Sequence, residues 1–380
     1  MSVKRVVGLG IAAIVLASPV AYFIAAARHS QAGPAAARAA LDPQAPLPAS
    51  VPPGTRLTVG DPTTEAVLKH NGWDKALPFE IKWLRITGGP AVTEAFHARA
   101  LDVGLAADMP PIHATWVGIP VKTIAVALRR DPLDHPSFEL AIGPKAGVTT
   151  LADLRGKRLA FSPGQVQGEI VLRTLREQGL SKSDVTLVEM PSTSADVYVN
   201  ALAAGLVDVA PIASGVAARR YLADYAKDGA KVLRHGAFPD DLINLYVRTE
   251  TLSDPAKAAA LLQYVKLWAR AQAWIDAHPD EWARLYYVGQ QGLSDDDARY
   301  VVRASGTHDI PVDWTGAIVR QQATVDLMAR ETGRKRFDST TLFDRRFEPV
   351  AGQAFAAASA QAAVRMAKEG PARQARRVGP

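Results

Sequence analysis

Hydrophobic and polar residues follow two alternating periods along the body of the chain, which begins near residue 55. Runs with a period of two, such as FEIKWLRI at 79–86, predict half-buried strands. Runs with apolar residues three or four positions apart predict amphipathic helices. Up to residue 129 these elements come in the order strand, helix, strand, helix, strand, strand, with the fourth strand at 121–129. This rhythm predicts a parallel sheet that is covered by helices.

The same rhythm returns between about 145 and 213. The segments AFHARALDVGLAA and NALAAGLVDVAPIA, one from each half, also resemble each other. We therefore predict two α/β lobes of similar build, followed by a helical last third. The strand-like segments 138–144 and 241–249 stand at the junctions, which indicates that the chain crosses between the lobes twice.

The two ends of the chain differ in composition from the body. A basic start, MSVKR, precedes 22 uncharged residues with small side chains at Ala25 and Ala27, which is typical of a secretory signal peptide and also long enough for a membrane anchor. Either reading places the body outside the cytoplasm. The predicted organisation is a signal peptide or anchor at 1–27, an Ala/Pro-rich linker at 28–54, lobe 1 at 55–140 and 245–350, lobe 2 at 141–244, and a basic, disordered tail at 351–380.

Composition excludes several classes of chemistry. The 380 residues include no cysteine, so disulfides, thiolate metal sites, lipid-modified cysteines and cysteine nucleophiles are excluded. The net charge of +6 comes mainly from the two ends, which argues against a nucleic-acid surface on the body. There is no Gly-x-Ser-x-Gly elbow, phosphate-binding loop or His-x-x-x-His pair. We therefore predict no cofactor, no metal and no catalytic set.

Polar breaks follow the predicted strands, where α/β sheets bind their ligands. These breaks are GDPTTE, ITGGPAVTE, AADMPP and AFSPGQVQGE. Unpaired N–H groups at helix starts favour an anion, and we expect Pro110 and Pro111 to fix a rigid loop that presents Asp108. We assign the anionic head to Ser162, Gln165 and Gln167 with nearby amides. The remaining candidate ligand-binding residues are Asp61, Thr63, Thr64, Gly88, Gly89, Asp108, Met109, Ser192, Ser214 and Asn244.

Three long segments carry a resemblance to a known family. They are GGPAVTEAFHARALDVGLAADMPPIHATWVGIPVK, LADLRGKRLAFSPGQVQGEIVLRTLREQGL and ALAAGLVDVAPIA. They resemble the solute-binding proteins of ABC importers for sulfonates, taurine and nitrate, and most of all the aliphatic-sulfonate branch, to which ADMPPI and LFDRRFEP are also similar. The resemblance spans Arg56 to Val350. It implies a type II periplasmic-binding-protein fold, a small ligand between two lobes and an ABC permease as partner.

Two departures from the family pattern leave the ligand open. Family members often have small hydroxyl residues where this chain reads PGQVQGE, and an aromatic-acidic-proline element where it reads ASGVAARR.

The sequence thus predicts a monomeric, periplasmic solute-binding protein that captures a small organic anion, such as an aliphatic sulfonate, by hinge closure. Two alternatives stay open. One is an enzyme of the pyrimidine-precursor type on the same fold, for which His113 is the histidine nearest a strand end. The other is a membrane-anchored ligand sensor.

Overall fold

The computed structural model describes residues 41–86, 88–192 and 195–377, with backbone alone at 195–196 and 369–377. The strands are β1 (Arg56–Gly60), β2 (Glu80–Trp83), β3 (Val103–Ala107), β4 (Val121–Arg129), β5 (Phe138–Ile142), β6 (Arg158–Phe161), β7 (Thr186–Glu189), β8 (Val209–Ala213), β9 (Lys231–Leu233), β10 (Ile243–Arg248) and β11 (His308–Asp309). The α-helices are α1 (Pro62–Asn71), α2 (Gly89–His97), α3 (Met109–Trp116), α4 (Val166–Glu177), α5 (Ala195–Ala203), α6 (Val216–Tyr225), α7 (Thr249–Ser253), α8 (Pro255–Ala277), α9 (Pro279–Trp282), α10 (Asp295–Ser305), α11 (Thr315–Thr332) and α12 (Glu348–Arg377).

The strands form two sheets, one in each lobe. The first has the order β11-β4-β10-β3-β1-β2 and the second the order β7-β6-β8-β5-β9. The strands β1, β2 and β3 are parallel, and β10 runs antiparallel to its neighbours β3 and β4. The chain therefore crosses between the sheets twice, at 130–137 and at 234–242. The predicted lobe boundaries, at 140/141 and 244/245, fall inside β5 and β10 rather than in these crossings.

The core of the first lobe lies on both faces of its sheet. The interior strand β4 buries Ile124, Ala125 and Val126 completely, as expected for a strand covered on both faces. On β10, Tyr246 makes an edge-to-face contact with Phe96 of α2, with ring centroids 5.0 Å apart. Helices on both sides thus fix the sheet edge from which the site residues extend.

The predicted linker reaches the surface of this core. Residues 41–54 contain no helix or strand, and Leu41, Leu47 and Val51 pack against the largest hydrophobic cluster, which includes residues of both lobes. The predicted signal peptide or anchor at 1–27 lies outside the described residues. Within the described part of the chain, none of the helices has the length and apolarity needed to cross a bilayer.

The prediction of a disordered tail from 351 is wrong for residues 351–377, because α12 covers them. Ala351 and Phe355, one helical turn apart, are buried where α12 runs along α8. The basic residues near the end favoured disorder in the sequence, but the apolar spacing at the start of the helix decides the structure.

The prediction of a rigid loop at Pro110 and Pro111 is also wrong. Both residues lie in the first turn of α3, which begins directly after Asp108. Proline suits this turn because its missing N–H would have no partner inside the helix.

A buried carboxyl pair joins the two lobes beside this turn. Thr324 Oγ1 on α11 lies 2.8 Å from Asp108 Oδ2 and 3.0 Å from Glu169 Oε1 on α4. Arg173 Nε donates to Glu169 Oε1 at 2.5 Å. Burial, together with the charge of Asp108, nevertheless raises the pKa of Glu169 to about 8. Glu169 is therefore largely protonated at neutral pH in the folded protein.

We expect Phe355→Ala to lower the free energy of unfolding by about 3 kcal/mol, because it leaves a cavity between α12 and α8. Val364→Ala is the matched control, since Val364 is 56% exposed on the same helix and should change the value by less than about 0.5 kcal/mol. Urea denaturation measures both. Equal stability of the two variants would show that α12 does not dock.

We expect the stability of the protein to fall as pH rises from 5 to 9, and Glu169→Gln to reduce this fall. The folded state keeps a proton on Glu169 that the unfolded state releases above its ordinary pKa of 4.5. The stabilisation from this proton is therefore fully present below pH 4.5 and is lost as the pH rises to about 8. Thermal unfolding across this pH range measures the effect, with Glu94→Gln at an exposed position of α2 as the control. Parallel pH profiles for the wild type and Glu169→Gln would contradict the raised pKa of Glu169.

Candidate functional site

A cavity of about 600 Å³ opens between the two lobes, and we call it the interlobe cavity. The first lobe contributes side chains from α2 and α3, and the second lobe contributes the turns that follow β6 and β7. The segment after α11 closes one side. The lining residues are Pro90, His113, Trp116, Ser162, Pro163, Gly164, Gln165, Glu189, Met190, Pro191, Ser192, Thr332 and Arg334.

Two glycines allow the lobes to approach closely at this cavity. A Cβ atom at Gly89 would collide with Oε1 of Gln165, and one at Gly164 would lie 2.8 Å from Nδ1 of His113. Each glycine thus lets backbone of one lobe meet a side chain of the other. The Gln165 side chain fills the space next to Gly89, so the open part of the cleft begins beside this contact.

Several features of the interlobe cavity favour an anion. The N-cap residue of α4, Gln165, makes no side-chain capping bond. The N–H groups of Gln165 and Gly168 donate to backbone carbonyls, so those of Val166 and Gln167 keep their capacity for a ligand. Arg334 adds a positive charge, and the hydroxyls of Ser162 and Ser192 lie 3.5 Å apart. The one carboxylate in the described lining, Glu189, is exposed to solvent.

His113 is a neutral group in this cavity at pH 7. Burial lowers its pKa, and the nearby charge of Arg334 lowers it further. The imidazole can therefore donate one hydrogen bond and accept another without adding charge.

The starts of α2 and α3 offer fewer amide donors than the sequence suggested. Pro90 lies in the first turn of α2, and Pro110 and Pro111 lie in that of α3. None of the three has an N–H group. Among the three helix starts next to the cavity, α4 is the one without a proline in its first turn.

Of the predicted site residues, the structure brings Ser162, Gln165 and Ser192 together in the cavity lining. Gly89 contacts Gln165 across the lobes. Gly88 is the N-cap of α2 and has a φ of 83°, which glycine adopts without strain. Gln167 is half-buried on α4 but does not contribute to the lining.

Asp61 and Thr64 have structural partners at the start of α1. Asp61 accepts hydrogen bonds from the Thr64 backbone N–H at 3.0 Å and from the Thr63 hydroxyl at 2.7 Å. The hydroxyl of Tyr264 on α8 donates to the same carboxylate at 3.3 Å. Asp61 therefore caps the helix and ties it to α8, away from the interlobe cavity.

Four further candidates hold the lobes and their edges in place. Asn244 is fully buried and accepts a hydrogen bond from the Thr123 hydroxyl at 2.9 Å. Ser214 donates to the Pro136 carbonyl at 2.5 Å, next to the first crossing. Met109 is fully buried, and Asp108 faces Thr324 in the carboxyl pair described above. The structure does not place these side chains in the lining of the interlobe cavity.

Sequence reasoning did not select Trp116 or Arg334 and considered His113 only for the enzyme alternative. Arg334 follows Gly333, which ends α11 in a left-handed conformation. A lone arginine in the basic run GRKR gave no sign that α11 would bring it next to the second lobe. Within the described residues, no group of three or more His, Asp or Glu side chains is arranged to hold a metal ion.

Comparisons with known proteins agree with the sequence resemblance. A putative aliphatic sulfonates-binding protein of Bacillus subtilis (strain 168) is 26% identical over 290 residues, which are 74% of this chain and 82% of that protein. The protein of the same name from Escherichia coli (strain K12) is 29% identical over 117 residues, and this match spans 30% of this chain and 35% of that protein.

Solved structures support the predicted fold. The alkanesulfonate-binding protein SsuA from Xanthomonas axonopodis pv. citri, solved with MOPS bound, superposes with a TM-score of 0.63 at 21% identity and covers 78% of this chain and 99% of its own. The periplasmic aliphatic sulphonate binding protein SsuA from Escherichia coli gives a TM-score of 0.61 at 21% identity and covers 77% of this chain and 92% of its own. These likenesses confirm the two-lobed periplasmic-binding-protein fold.

The family model described as NMT1/THI5 like matches residues 69–282, which is more than half of the 380 residues. The matched range contains both crossings between the lobes and all of the second sheet. The chain belongs to the NMT1/THI5-like family.

Proposed function

We propose that this chain is the solute-binding protein of an ABC importer and that it captures a small organic anion, such as an aliphatic sulfonate, in the interlobe cavity. The observation that carries this proposal is the composition of the cavity, whose walls come from both lobes. The names of the relatives support the ligand class, because two of them are called aliphatic sulfonates-binding proteins.

The ligand would bind by joining groups from the two lobes. The N–H groups at the start of α4 and the hydroxyls of Ser162 and Ser192 would donate to the anionic oxygens from the second lobe. Arg334 and the neutral imidazole of His113 would donate from the opposite side. Trp116 would contact the aliphatic part.

Closure of the lobes would follow from this bridging. A ligand that contacts both lobes binds the closed arrangement more tightly than the open one and so shifts the population towards it. The two crossings are tied together at the hinge, because the Asp240 carboxylate accepts from the backbone N–H groups of Ser137 at 2.8 Å and Phe138 at 2.7 Å. The lobes would therefore turn about a defined pair of segments.

The predicted leader at 1–27 would place the body outside the cytoplasm, as a periplasmic protein or as one held at the inner membrane. An ABC permease would then receive the loaded, closed form. For the enzyme alternative, His113 is the titratable group of interest, and it makes no side-chain hydrogen bond to any residue that the structure describes. We therefore favour binding without chemical conversion.

We expect butane-1-sulfonate to raise the melting temperature of the purified protein, whereas butan-1-ol, which has the same chain without the charge, does not. Arg334→Gln should weaken sulfonate binding about tenfold or more, since a hydrogen bond to a charged group is lost. Arg330→Gln is the control: it removes the same charge from an exposed side chain whose partner is Glu331.

Thermal shift and calorimetric titration measure these effects, with taurine, nitrate and sulfate in the same panel. If none of the anions stabilises the protein, or if Arg334→Gln and Arg330→Gln bind equally well, the proposed site is wrong.

We expect the bound anion to be recovered chemically unchanged after prolonged incubation, as determined by mass spectrometry of the released ligand. The wild type and His113→Ala should not differ in this respect. Conversion that disappears in His113→Ala would favour the enzyme alternative.

A further inference from the structure

A second cavity, of about 430 Å³, lies within the first lobe, and we call it the hinge cavity. The sheet contributes Leu105 and Ile243, and α8 contributes Trp268. The cavity reaches the crossings between the lobes, because Arg129 at the end of β4 and Asp241 just before β10 also line it.

The first sheet separates the hinge cavity from the interlobe cavity. Neighbouring residues on a strand point to opposite faces. A Cβ atom at Gly104 would contact Val92 and Phe96 of α2. Leu105 therefore points to the other face, on which α8 lies. Among the residues that the structure describes, the two cavities have no lining residue in common.

Apolar and aromatic side chains form most of the hinge cavity. Besides Leu105, Ile243 and Trp268, the lining includes the rings of Trp282 and Tyr287. A volume of about 430 Å³ with walls of this kind is in the usual range for small-molecule sites.

Two uncharged polar groups in this lining lack partners. Gln272 is only 5% exposed, and its side-chain amide forms no hydrogen bond with any described residue. The indole Nε1–H of Trp268 is buried and is also without a partner in the described part of the chain. Buried polar groups usually have hydrogen-bond partners, so an oxygen atom of an occupant would satisfy the Gln272 amide. The Trp268 nitrogen itself has no exposed surface.

The carboxylates in the lining, by contrast, already have partners. Asp241 accepts from Arg320 at 2.7 Å and from the backbone N–H of Arg129 at 2.6 Å. Asp276 lies 2.7 Å from Nδ1 of His308. The guanidinium of Arg129 donates to the His135 carbonyl at 2.6 Å. Arg303 also lines the cavity, and its exposed side chain has no hydrogen-bond or ion-pair partner among the described residues. Unused donors therefore belong to the amide of Gln272 and to the two guanidinium groups.

We propose that the hinge cavity is a second binding site, which takes a small, largely apolar molecule that carries a hydrogen-bonding oxygen. Its walls would hold an aromatic or branched aliphatic body, and Gln272 would bind the oxygen. This site does not depend on the anion site between the lobes.

The test compares 2-phenylethanol with ethylbenzene, which has the same body without the oxygen. Saturation-transfer NMR and thermal shift on the purified protein should show binding of 2-phenylethanol and about fivefold weaker binding of ethylbenzene. Gln272→Leu keeps the size of the side chain but removes the amide. This substitution should weaken the binding of 2-phenylethanol about fivefold and leave the binding of ethylbenzene unchanged.

Gln263→Leu, on the same helix but outside the hinge cavity, is the matched control and should bind 2-phenylethanol as the wild type does. Arg334→Gln should also leave this binding unchanged, whether or not the interlobe cavity binds sulfonates. Absence of 2-phenylethanol binding at millimolar concentration overturns the proposal. An equal affinity for ethylbenzene, no effect of Gln272→Leu, or displacement by butane-1-sulfonate would each overturn it as well.

Discussion

The close approach of the start of α4 to the first lobe is the constraint on which the rest of the structure depends. At Gly89 and at Gly164, the absence of a side chain lets backbone of one lobe touch a side chain of the other. This contact brings the uncapped start of α4 next to α3 and next to the segment that carries Arg334. A Cβ atom at Gly89 would collide with both Gln165 Oε1 and Pro110 Cγ, and one at Gly164 would require the His113 ring to move.

The same close approach of the lobes buries two carboxyl groups, whose burial in the charged form is unfavourable. Glu169 faces Asp108 across the lobes with Thr324 between them, and desolvation of the two carboxylates is costly unless one is protonated. The raised pKa of Glu169 is the result. A movement that separated α4 from α3 would hydrate this pair, so the proposed closure would be linked to protonation of Glu169.

Much of the fold could be predicted from the sequence, because the two hydrophobic periods are local properties. The strand at 121–129 coincides with β4, and the repeated rhythm gave the two lobes. The C-terminal helix was missed because its basic end outweighed the apolar spacing of Ala351 and Phe355, whose partner on α8 is distant in sequence.

The site could be predicted only in part. Polar residues after strands can serve as helix caps or as ligands, and the sequence does not distinguish the two roles. Ser162 and Ser192 line the interlobe cavity, whereas Asp61 caps α1 and Asn244 holds β10 to its neighbours. Arg334 reaches the cavity only because α11 runs across to the second lobe, which is a consequence of tertiary packing.

The most direct test of lobe closure on an anion is a distance measurement between the lobes. The chain has no cysteine, so Lys75→Cys and Lys227→Cys place one spin label on an exposed position of each lobe. Pulsed electron spin resonance should show a distance distribution that narrows and shifts to its shorter end when butane-1-sulfonate is added, and that stays unchanged with butan-1-ol. A distribution that does not respond to the sulfonate, at concentrations that saturate binding, would contradict closure on an anion.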